Sequence, residues 1–373
     1  MPNKNQHLFN ALQQLQQQQQ NCVLATIIET FGSTYQKAGA RMLITQQGEL
    51  LGLLGGGCFE RDLVEHAQSV LATGTPKTVF YDMRSPEDVI WGLGLGCNGA
   101  VRVMLQRLNL EDNFTPLPAL VENAERNTAG VLITVNASEH PDFPAGRNWF
   151  IPTAATGKPQ LLSPAPFLLT TAALQTLLQQ KPRLETHQLE GKTIQAFYDP
   201  VHPPLRLLIL GAGADSLPVV QCAKALGWRV NVVDYRPAYL KPERFPLADQ
   251  LLTLNPEELT AHLDLDSHQA VVLMTHNVDY DQRYLQALLN CHIPYIGLLG
   301  PAARRDRLLN SLGAEAQKLT ARVYGPVGLD IGAETPEEIA LSIMAGIHSA
   351  LKHQTGKQMH TLTATVPDVC LPG

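Results

Sequence analysis

The sequence predicts an α/β protein with an α+β N-terminal domain and a doubly wound, parallel-sheet C-terminal domain. The C-terminal half alternates apolar strands with amphipathic helices, a pattern typical of parallel strands joined by crossover helices. Its first strand, LRLLILGAG at 205–213, is continuously apolar, as expected for a strand buried on both faces. The N-terminal half instead contains a hairpin pattern with imperfect alternation, which favours antiparallel pairing.

The length of 373 residues and the 45% hydrophobic content are sufficient for two packed domains. We place the first domain over residues 1–200, the second over 201–352 and a loose tail over 353–373. The segment DPVHPP at 199–204 predicts a linker between the domains, because prolines stiffen the chain and cannot continue a sheet.

Apolar periodicity defines the N-terminal elements. Leu8, Leu12 and Leu15 recur at helical spacing in a Gln-rich segment, which predicts either a docking helix or a frayed one. Gly74 follows an amphipathic pattern and predicts the C′ residue of that helix. The predicted elements are, in order, a strand at 22–30, a hairpin over 41–56, a helix at 58–74 and strands at 76–83 and 100–108.

The region 110–200 adds further helices and strands to the first domain, and its place in the fold is not evident from its pattern. The predicted elements there are a helix at 116–127, strands at 130–137 and 148–152, a helix at 165–180 and strands at 183–190 and 192–199.

After residue 204 the pattern becomes a regular alternation of strands and helices, which predicts repeated β–α units. The predicted strands are 205–213, 228–234, 250–254, 269–276 and 294–300. The predicted helices are 215–228, 279–291, 303–313 and 337–353, with a loop over 323–336 before the last.

Charge and apolar patterning limit the function classes. The formal net charge of −6, with Lys and Arg scattered, argues against a nucleic-acid partner. The N-terminus lacks the apolar core of a signal peptide, and no apolar run approaches the length of a membrane span. We therefore expect a cytoplasmic protein that does not associate with membranes.

Two of the six cysteines stand apart from the others. Reduced thiols are expected in a cytosolic chain, and the absence of a C-x-x-C pair argues against structural zinc. Cys22, Cys222 and Cys291 have apolar neighbours and are expected to be small core residues. Cys58 and Cys97 lie instead in glycine-rich segments, GGGCFE at 55–60 and GLGLGCNG at 92–99.

The first glycine segment places Gly55, Gly56, Gly57 and Cys58 directly before a predicted helix. Free amides and the helix dipole at that end favour an anion, so a phosphate is expected to dock there. The same field lowers a thiol pKa, which makes Cys58 a candidate nucleophile or soft-metal ligand.

In the second segment, Gly94 and Gly96 come shortly before Cys97 in the chain. Because glycine has no side chain, a bulky ligand can reach the backbone and the sulfur together there. Cys97 is accordingly the second candidate contact for such a ligand. The alternative interpretation is two tight glycine turns with chance thiols.

The loop GSTYQKAGAR adds hydroxyl groups from Ser33 and Thr34 and a cation from Arg41. Arg41 can pair with a phosphate in a bidentate geometry. The alternative is that it satisfies loop carbonyls.

The strand–loop–helix segment LLILGAGADS resembles a dinucleotide fingerprint with one glycine missing. Gly211 and Gly213 match its first two glycines, whereas Ser216 replaces the third. Asp215 would bring negative charge to the expected phosphate position. Asp234 closes the second strand, where an acid would hold ribose hydroxyls. NAD(P) binding is therefore an open and weakly supported expectation.

His276 ends a predicted strand at the edge where open parallel sheets bind ligands. It is the candidate catalytic residue, as a proton donor or ligand contact. A capping role at the strand end is the alternative.

Several ordered motifs together resemble the XdhC/CoxI family. In the N-terminal half they are GSTYQKAGARMLI, LGGGCFERDLVEHA and GLGLGCNGAVRVML. In the C-terminal half they are LLILGAGADSLPVVQCAKALGWRVNVVDYRP, VVLMTHNVDYD, IGLLG and GPVGLDIGAETPEEIA. The resemblance covers most of residues 22–350 and implies a Rossmann-like C-terminal domain.

The resemblance implies an accessory protein for maturation of xanthine dehydrogenase and carbon monoxide dehydrogenase. Such a chaperone would bind the molybdenum cofactor (molybdopterin), protect it while a cysteine desulfurase supplies its terminal sulfur, and assist its insertion into the client hydroxylase. The family's motif cysteines fall on Cys58 and Cys97, and its neighbouring motif positions on 32–34, Arg41 and Glu60. Cys58 and Cys97, in two glycine loops, would then form one site in which their thiolates contact molybdenum or a cofactor sulfur.

Two other function classes stay open on the sequence alone. An NAD(P)-dependent oxidoreductase would use the C-terminal domain with His276 as proton donor. A thiol redox protein would need Cys58 and Cys97 within disulfide reach. In every case we expect a homodimer, because closed two-fold dimers are the commonest oligomers.

Overall fold

A computed structural model of the chain describes residues 17–57, 59–84, 99–153 and 165–357, together with residues 8, 11, 14 and 15. The chain forms two compact units, Met1–Pro204 and Leu205–Gly373. None of the described helices is both long and apolar enough to cross a membrane.

The first unit begins with a five-stranded antiparallel sheet of order β3-β2-β1-β5-β4. The central strand is apolar on both faces, because Val23, Ala25 and Ile27 are buried in one hydrophobic cluster and Cys22 and Leu24 in another. The helix α1 (Glu60–Thr73) packs its apolar stripe on one face of the sheet and ends at Gly74, which is left-handed at φ 73°. The strands are β1 (Cys22–Gly32), β2 (Arg41–Thr45), β3 (Leu50–Gly52), β4 (Lys77–Asp82) and β5 (Gly99–Leu108).

The region whose fold the sequence leaves open forms a second antiparallel sheet, of order β7-β6-β9-β8. Its apolar face is covered by the second of its two helices. The strands are β6 (Gly130–Ser138), β7 (Asn148–Pro152), β8 (Arg183–Leu189) and β9 (Lys192–Val201), and the helices are α2 (Leu117–Glu125) and α3 (Phe167–Gln179).

A third cluster joins the two sheets within this unit. It contains Leu24 and Leu108 of the first sheet, Leu120 of α2 and Leu132 of the second sheet. Leu8 and Leu15 are helical and buried in the same cluster, which agrees with a docking helix; Leu12 lies outside the described residues.

The predicted linker at 199–204 is wrong in its first half, because β9 continues to Val201. Pro200 is tolerated there because the pairing of β8 with β9 ends at Tyr198. Only β6 pairs with this part of the strand, and Pro200 lies opposite Val131.

The second unit is an all-parallel, six-stranded sheet of order β12-β11-β10-β13-β14-β15. Counted within the unit, this is the order 3-2-1-4-5-6 of the doubly wound nucleotide-binding fold. The strands are β10 (Arg206–Leu210), β11 (Arg229–Asp234), β12 (Gln250–Thr253), β13 (Ala270–Leu273), β14 (Tyr295–Leu298) and β15 (Val323–Tyr324).

Helices cover both faces of this sheet and give it two separate cores. The helices α4 (Ser216–Ala225) and α8 (Pro336–Leu351) cover one face. The helices α5 (Leu259–His262), α6 (Val278–Ala287) and α7 (Ala302–Ser311) cover the other.

The elements of this unit differ from the predicted ones in at least three details, one of which is the short helix α5, where no element was predicted. The strand predicted over 269–276 ends at Leu273, so Thr275 and His276 belong to the loop at the carboxyl edge. The short strand β15 lies in a segment predicted as loop, because two residues carry no readable periodicity.

We expect a fragment of residues 205–357 to fold by itself, because both cores of the second unit are built from residues within it. Calorimetry of this fragment should give one cooperative transition, with an unfolding enthalpy of about 100 kcal/mol near 60 °C for its length. A broad, non-cooperative melt would contradict the division into two self-contained units.

Candidate functional site

A carboxylate from the first turn of α1 accepts hydrogen bonds from the glycine turn before this helix. Glu60 is buried, and its Oε1 and Oε2 accept hydrogen bonds from the amides of Gly55 and Phe59, at 2.7 and 3.2 Å. These amides are therefore not free, and Glu60 places negative charge where the sequence predicted a phosphate. The sequence interpretation missed this, although an acid in the first turn beside a glycine run was a visible signal.

The other two glycines of the turn keep their approach open. Among the described residues, no heavy atom lies within 4 Å of a Cβ atom placed on Gly56 or Gly57, and Gly57 has φ +95°, which favours glycine. A ligand can therefore approach the backbone on this side of the turn. Cys58, Gly94, Gly96 and Cys97 themselves lie outside the described residues.

The three cysteines with apolar neighbours in the sequence agree with core roles. Cys22 and Cys291 are buried, Cys222 is half-buried, and burial raises the pKa of the Cys22 thiol to about 12. Among the residues that the structure describes, no group of three or more His, Cys, Asp or Glu side chains is arranged to hold a metal ion.

The loop that carries the hydroxyl groups of Ser33 and Thr34 follows β1 at the end of the first sheet. The hydroxyl of Thr34 donates to the carbonyl of Gln36 at 2.8 Å, and the carbonyl of Ser33 lies where a side chain on Gly99 would have to fit. Gly99 therefore allows this loop to pack tightly against the start of β5.

Arg41 is an interior residue of the first unit, only 3% exposed. Its Nη2 lies 2.6 Å from Oδ2 of Asp199 on β9, and its Nη1 donates to the carbonyl of Gly39. Asp199 is also buried. A phosphate could reach Arg41 only by displacing Asp199, so the geometry favours a structural ion pair between the two sheets.

In the second unit, the loop between β10 and α4 lies at the point where the strand order reverses. Gly211 has φ +124°, and a side chain there would meet the carbonyl oxygen of Met274 at 2.5 Å. The space that a side chain on Gly213 would need is filled by Oδ1 of Asp215. In the dinucleotide fingerprint that space admits the pyrophosphate, so here a carboxylate stands in its place.

Ser216 fits where the fingerprint has its third glycine. It is fully buried, and its hydroxyl donates to the carbonyl of Gly213 at 2.7 Å. The departure at Asp215 therefore matters more for ligand binding than the departure at Ser216.

The carboxylate of Asp234 accepts its hydrogen bonds from the protein itself. It is 1% exposed and accepts hydrogen bonds from the amide of Ala212 at 2.7 Å and from Arg236 through its backbone and side chain. Burial alone would raise the pKa of Asp234, but these hydrogen bonds outweigh it and hold the pKa below its ordinary value. A ribose would have to displace Arg236.

Aromatic side chains close the crevice beside Asp234. Tyr235 after β11 and Tyr280 in α6 stack with ring centroids 3.6 Å apart and planes 12° apart. Because β10 lies between β11 and β13, this stack bridges the loops on either side of the β10 carboxyl end. It lies on the half of the crevice where an adenosine would be expected.

His276 faces Asp215 across the reversal point. Its Nε2 lies 2.8 Å from Oδ2 of Asp215, and its side chain is 59% exposed. Its φ of +60° is in the left-handed region, a conformation that is uncommon outside glycine and concentrated at functional sites.

A cavity of about 950 Å³ opens beside this pair, at the carboxyl edge of the sheet. Its volume is in the range of small-molecule sites. Its borders are the loop ends after β13 and β14 and the segment 326–336 before α8. Gly328 packs directly on Gly346 of α8, which holds that segment in place.

One arginine of the cavity was missed by sequence reasoning. Nη2 of Arg304 lies 2.6 Å from Oδ2 of Asp281, which is 2% exposed and also accepts from the hydroxyl of Thr275 at 2.6 Å. The Nε of Arg304 is buried without a partner in the described part of the chain. A cluster of arginines after a glycine–proline pair was the only signal of this residue in the sequence.

Two family models match the chain in order. The model described as "XdhC and CoxI family" matches residues 15–82, and the model described as "XdhC Rossmann domain" matches 207–347. A Bacillus subtilis (strain 168) protein, named as a probable xanthine dehydrogenase subunit, is 34% identical over 342 residues. The match covers 90% of this chain and 95% of that protein.

The chain belongs to the XdhC and CoxI family. An Escherichia coli (strain K12) protein named molybdenum cofactor insertion chaperone PaoD is 23% identical over 336 residues, 89% of this chain and 84% of that protein. A solved structure described as a xanthine dehydrogenase from Bacillus halodurans is 31% identical, with a TM-score of 0.72. It covers 95% of this chain and 97% of that one. The α/β architecture with a Rossmann-like C-terminal domain is thereby confirmed.

We expect Arg41→Met to lower the free energy of unfolding by about 3–5 kcal/mol, because it leaves Asp199 charged and buried without a partner. The double variant Arg41→Met with Asp199→Leu should recover much of that loss. Urea unfolding measures both.

The control is Arg84→Met, which breaks an exposed pair with Asp82 and should change stability little. A similar effect of Arg41→Met and Arg84→Met would contradict the structural role of the buried pair.

We expect NAD(P) to bind weakly or not at all, because Asp215 occupies the pyrophosphate position. Asp215→Gly should strengthen NAD affinity about fivefold, since removing a like charge from a water-exposed site is worth about 1 kcal/mol. Calorimetric titration with NAD measures this. Micromolar affinity in the unaltered protein would overturn the argument and favour an oxidoreductase.

Proposed function

We propose that this chain is a maturation factor that binds the molybdenum cofactor, protects it during sulfuration and assists its insertion into xanthine dehydrogenase or a related molybdenum hydroxylase. The observation that carries the proposal is the near full-length similarity to two proteins, whose names support the insertion step and the client enzyme. One is named a molybdenum cofactor insertion chaperone, and another is named as part of a xanthine dehydrogenase.

The glycine turn before α1 supports a cofactor approach through sulfur. Gly56 and Gly57 leave the backbone side of the turn open, directly before Cys58 in the chain. The carboxylate of Glu60 already accepts hydrogen bonds from amides at the helix N-terminus, which disfavours a phosphate there. The thiols of Cys58 and Cys97 suit a soft metal or its sulfur better than they suit the phosphate of the cofactor.

The role does not require turnover by this chain. When bound, the cofactor supplies the molybdenum chemistry of the client enzyme, and this chain's own residues hold and shield it. The partners we propose are the client hydroxylase, a cysteine desulfurase and a second copy of the chain, in the cytoplasm.

The oxidoreductase alternative has less support. Asp215 stands at the pyrophosphate position, the carboxylate of Asp234 is taken by Arg236, and Tyr235 and Tyr280 fill the space beside it. These residues disfavour the dinucleotide that would have to carry a hydride to a substrate near His276. A thiol redox role depends on Cys58 and Cys97, which lie outside the described residues.

We expect Cys58→Ser and Cys97→Ser each to lose most molybdenum-cofactor binding, because a hydroxyl cannot replace a soft thiolate donor. The double variant should be little worse than either single variant, since groups that act as a unit are not additive. Pterin and molybdenum retained per protein after gel filtration of loaded samples measure the loss.

Cys222→Ser is the matched control. It lies half-buried on α4 in the second unit, so it should cost some stability but leave cofactor retention intact. Full retention by both single variants would remove the case for a paired thiol site.

A further inference from the structure

The cavity in the second unit is one half of a dinucleotide crevice. The Tyr235–Tyr280 stack and the Asp234–Arg236 pair occupy the other half, and Asp215 interrupts the path between the halves. A ligand of dinucleotide length is therefore disfavoured. A single ring system fits the remaining space of about 950 Å³.

The charges around the cavity disfavour an anionic ligand. Asp215, Asp330 and Glu334 line it, whereas the cation Arg304 is already paired with Asp281. The nearby N-terminus of α8 is closed by its own capping box, in which Thr335 and Glu338 satisfy each other's amides. The described residues around the cavity therefore favour neither a phosphate nor a pyrophosphate.

The cavity walls suit a flat, uncharged ring. The residues that line the cavity include the apolar residues Met274, Leu299, Val327 and Ile339 together with Asp215. Apolar walls with one or two placed polar groups are typical of sites that bind heterocycles.

Asp215 presents a fixed acceptor pair to this space. His276 holds one of its oxygens, and the remaining lone pairs of the carboxylate can accept two neighbouring N–H donors.

We propose that this cavity binds the 2-amino-4-oxopyrimidine edge that pterin and guanine share. That edge carries adjacent N–H and NH₂ donors, which match the Asp215 carboxylate, next to a carbonyl acceptor. Any phosphate of the ligand remains outside the cavity, away from its carboxylates.

The choice of pterin as the molecule that supplies this edge rests on the proposed function, because the pterin ring of the molybdenum cofactor carries it. Guanine is the other source of the same chemistry. Titrations with pterin and with guanosine, neither of which carries a phosphate, distinguish the two sources.

The experiment titrates the full chain at pH 7 with pterin and with guanosine, by pterin fluorescence anisotropy and by calorimetry. Lumazine and inosine are the matched probes: lumazine has a carbonyl in place of the 2-amino group of pterin, and inosine lacks the 2-amino group of guanosine, so each offers Asp215 one donor fewer. We expect pterin or guanosine to bind about 10- to 100-fold more tightly than its matched probe.

Asp215→Asn should lose about 10- to 100-fold in affinity for the bound ring, because the amide offers one acceptor and turns a donor toward the ring's donors. It keeps the size of the side chain, so its thermal midpoint should stay close to that of the parent protein. Asp306→Asn is the control: this acid is on α7, pairs with Arg305 and does not line the cavity.

Equal binding of a ring and its matched probe, or an unchanged affinity in Asp215→Asn, would overturn the proposal. If the protein retains molybdenum cofactor but binds neither pterin nor guanosine, the cavity proposal fails while the proposed function stands. If ring binding follows the prediction but loaded cofactor is not retained, the proposed function fails and the cavity assignment stands with guanine or free pterin as ligand.

Discussion

The close approach of two loops at the strand-order reversal governs the second unit. Gly211, with φ +124°, lies against the carbonyl of Met274, and any side chain there would separate β10 from the loop after β13. This contact brings Asp215 and His276 to within hydrogen-bond distance although they are far apart in the chain. The cavity, its carboxylate and the segment that borders it all depend on this approach.

The same fold that binds dinucleotides elsewhere is modified here by a few side chains. The strand order and the first two glycines are those of a nucleotide-binding domain. Asp215, Arg236 and the stacked tyrosines then take the positions that pyrophosphate, ribose and base would need. The fold therefore does not decide the ligand; the residues at the carboxyl edge decide it.

In the first unit, a buried ion pair and a shared apolar cluster hold two antiparallel sheets together. Arg41 and Asp199 come from different sheets and are both desolvated, so each charge requires the other. The glycine turn before α1 is likewise fixed by a carboxylate, that of Glu60. In both places an acid satisfies groups that the sequence pattern had assigned to a ligand.

The sequence by itself determined the class of fold, because apolar periodicity and the glycine fingerprint are local signals that survive without tertiary context. It identified nearly all strands and helices, including the unbroken apolar strand β10. The tertiary structure decided which polar side chains are free. The sequence pattern assigns Arg41, Asp234 and Glu60 to a ligand site or its surroundings, but groups of the protein itself pair with them. Arg41 pairs with Asp199 from a segment far along the chain, and such a contact leaves no periodic trace in the sequence. Asp234 and Glu60 each have a partner within five residues, but whether a side chain turns back onto its own loop depends on the folded backbone.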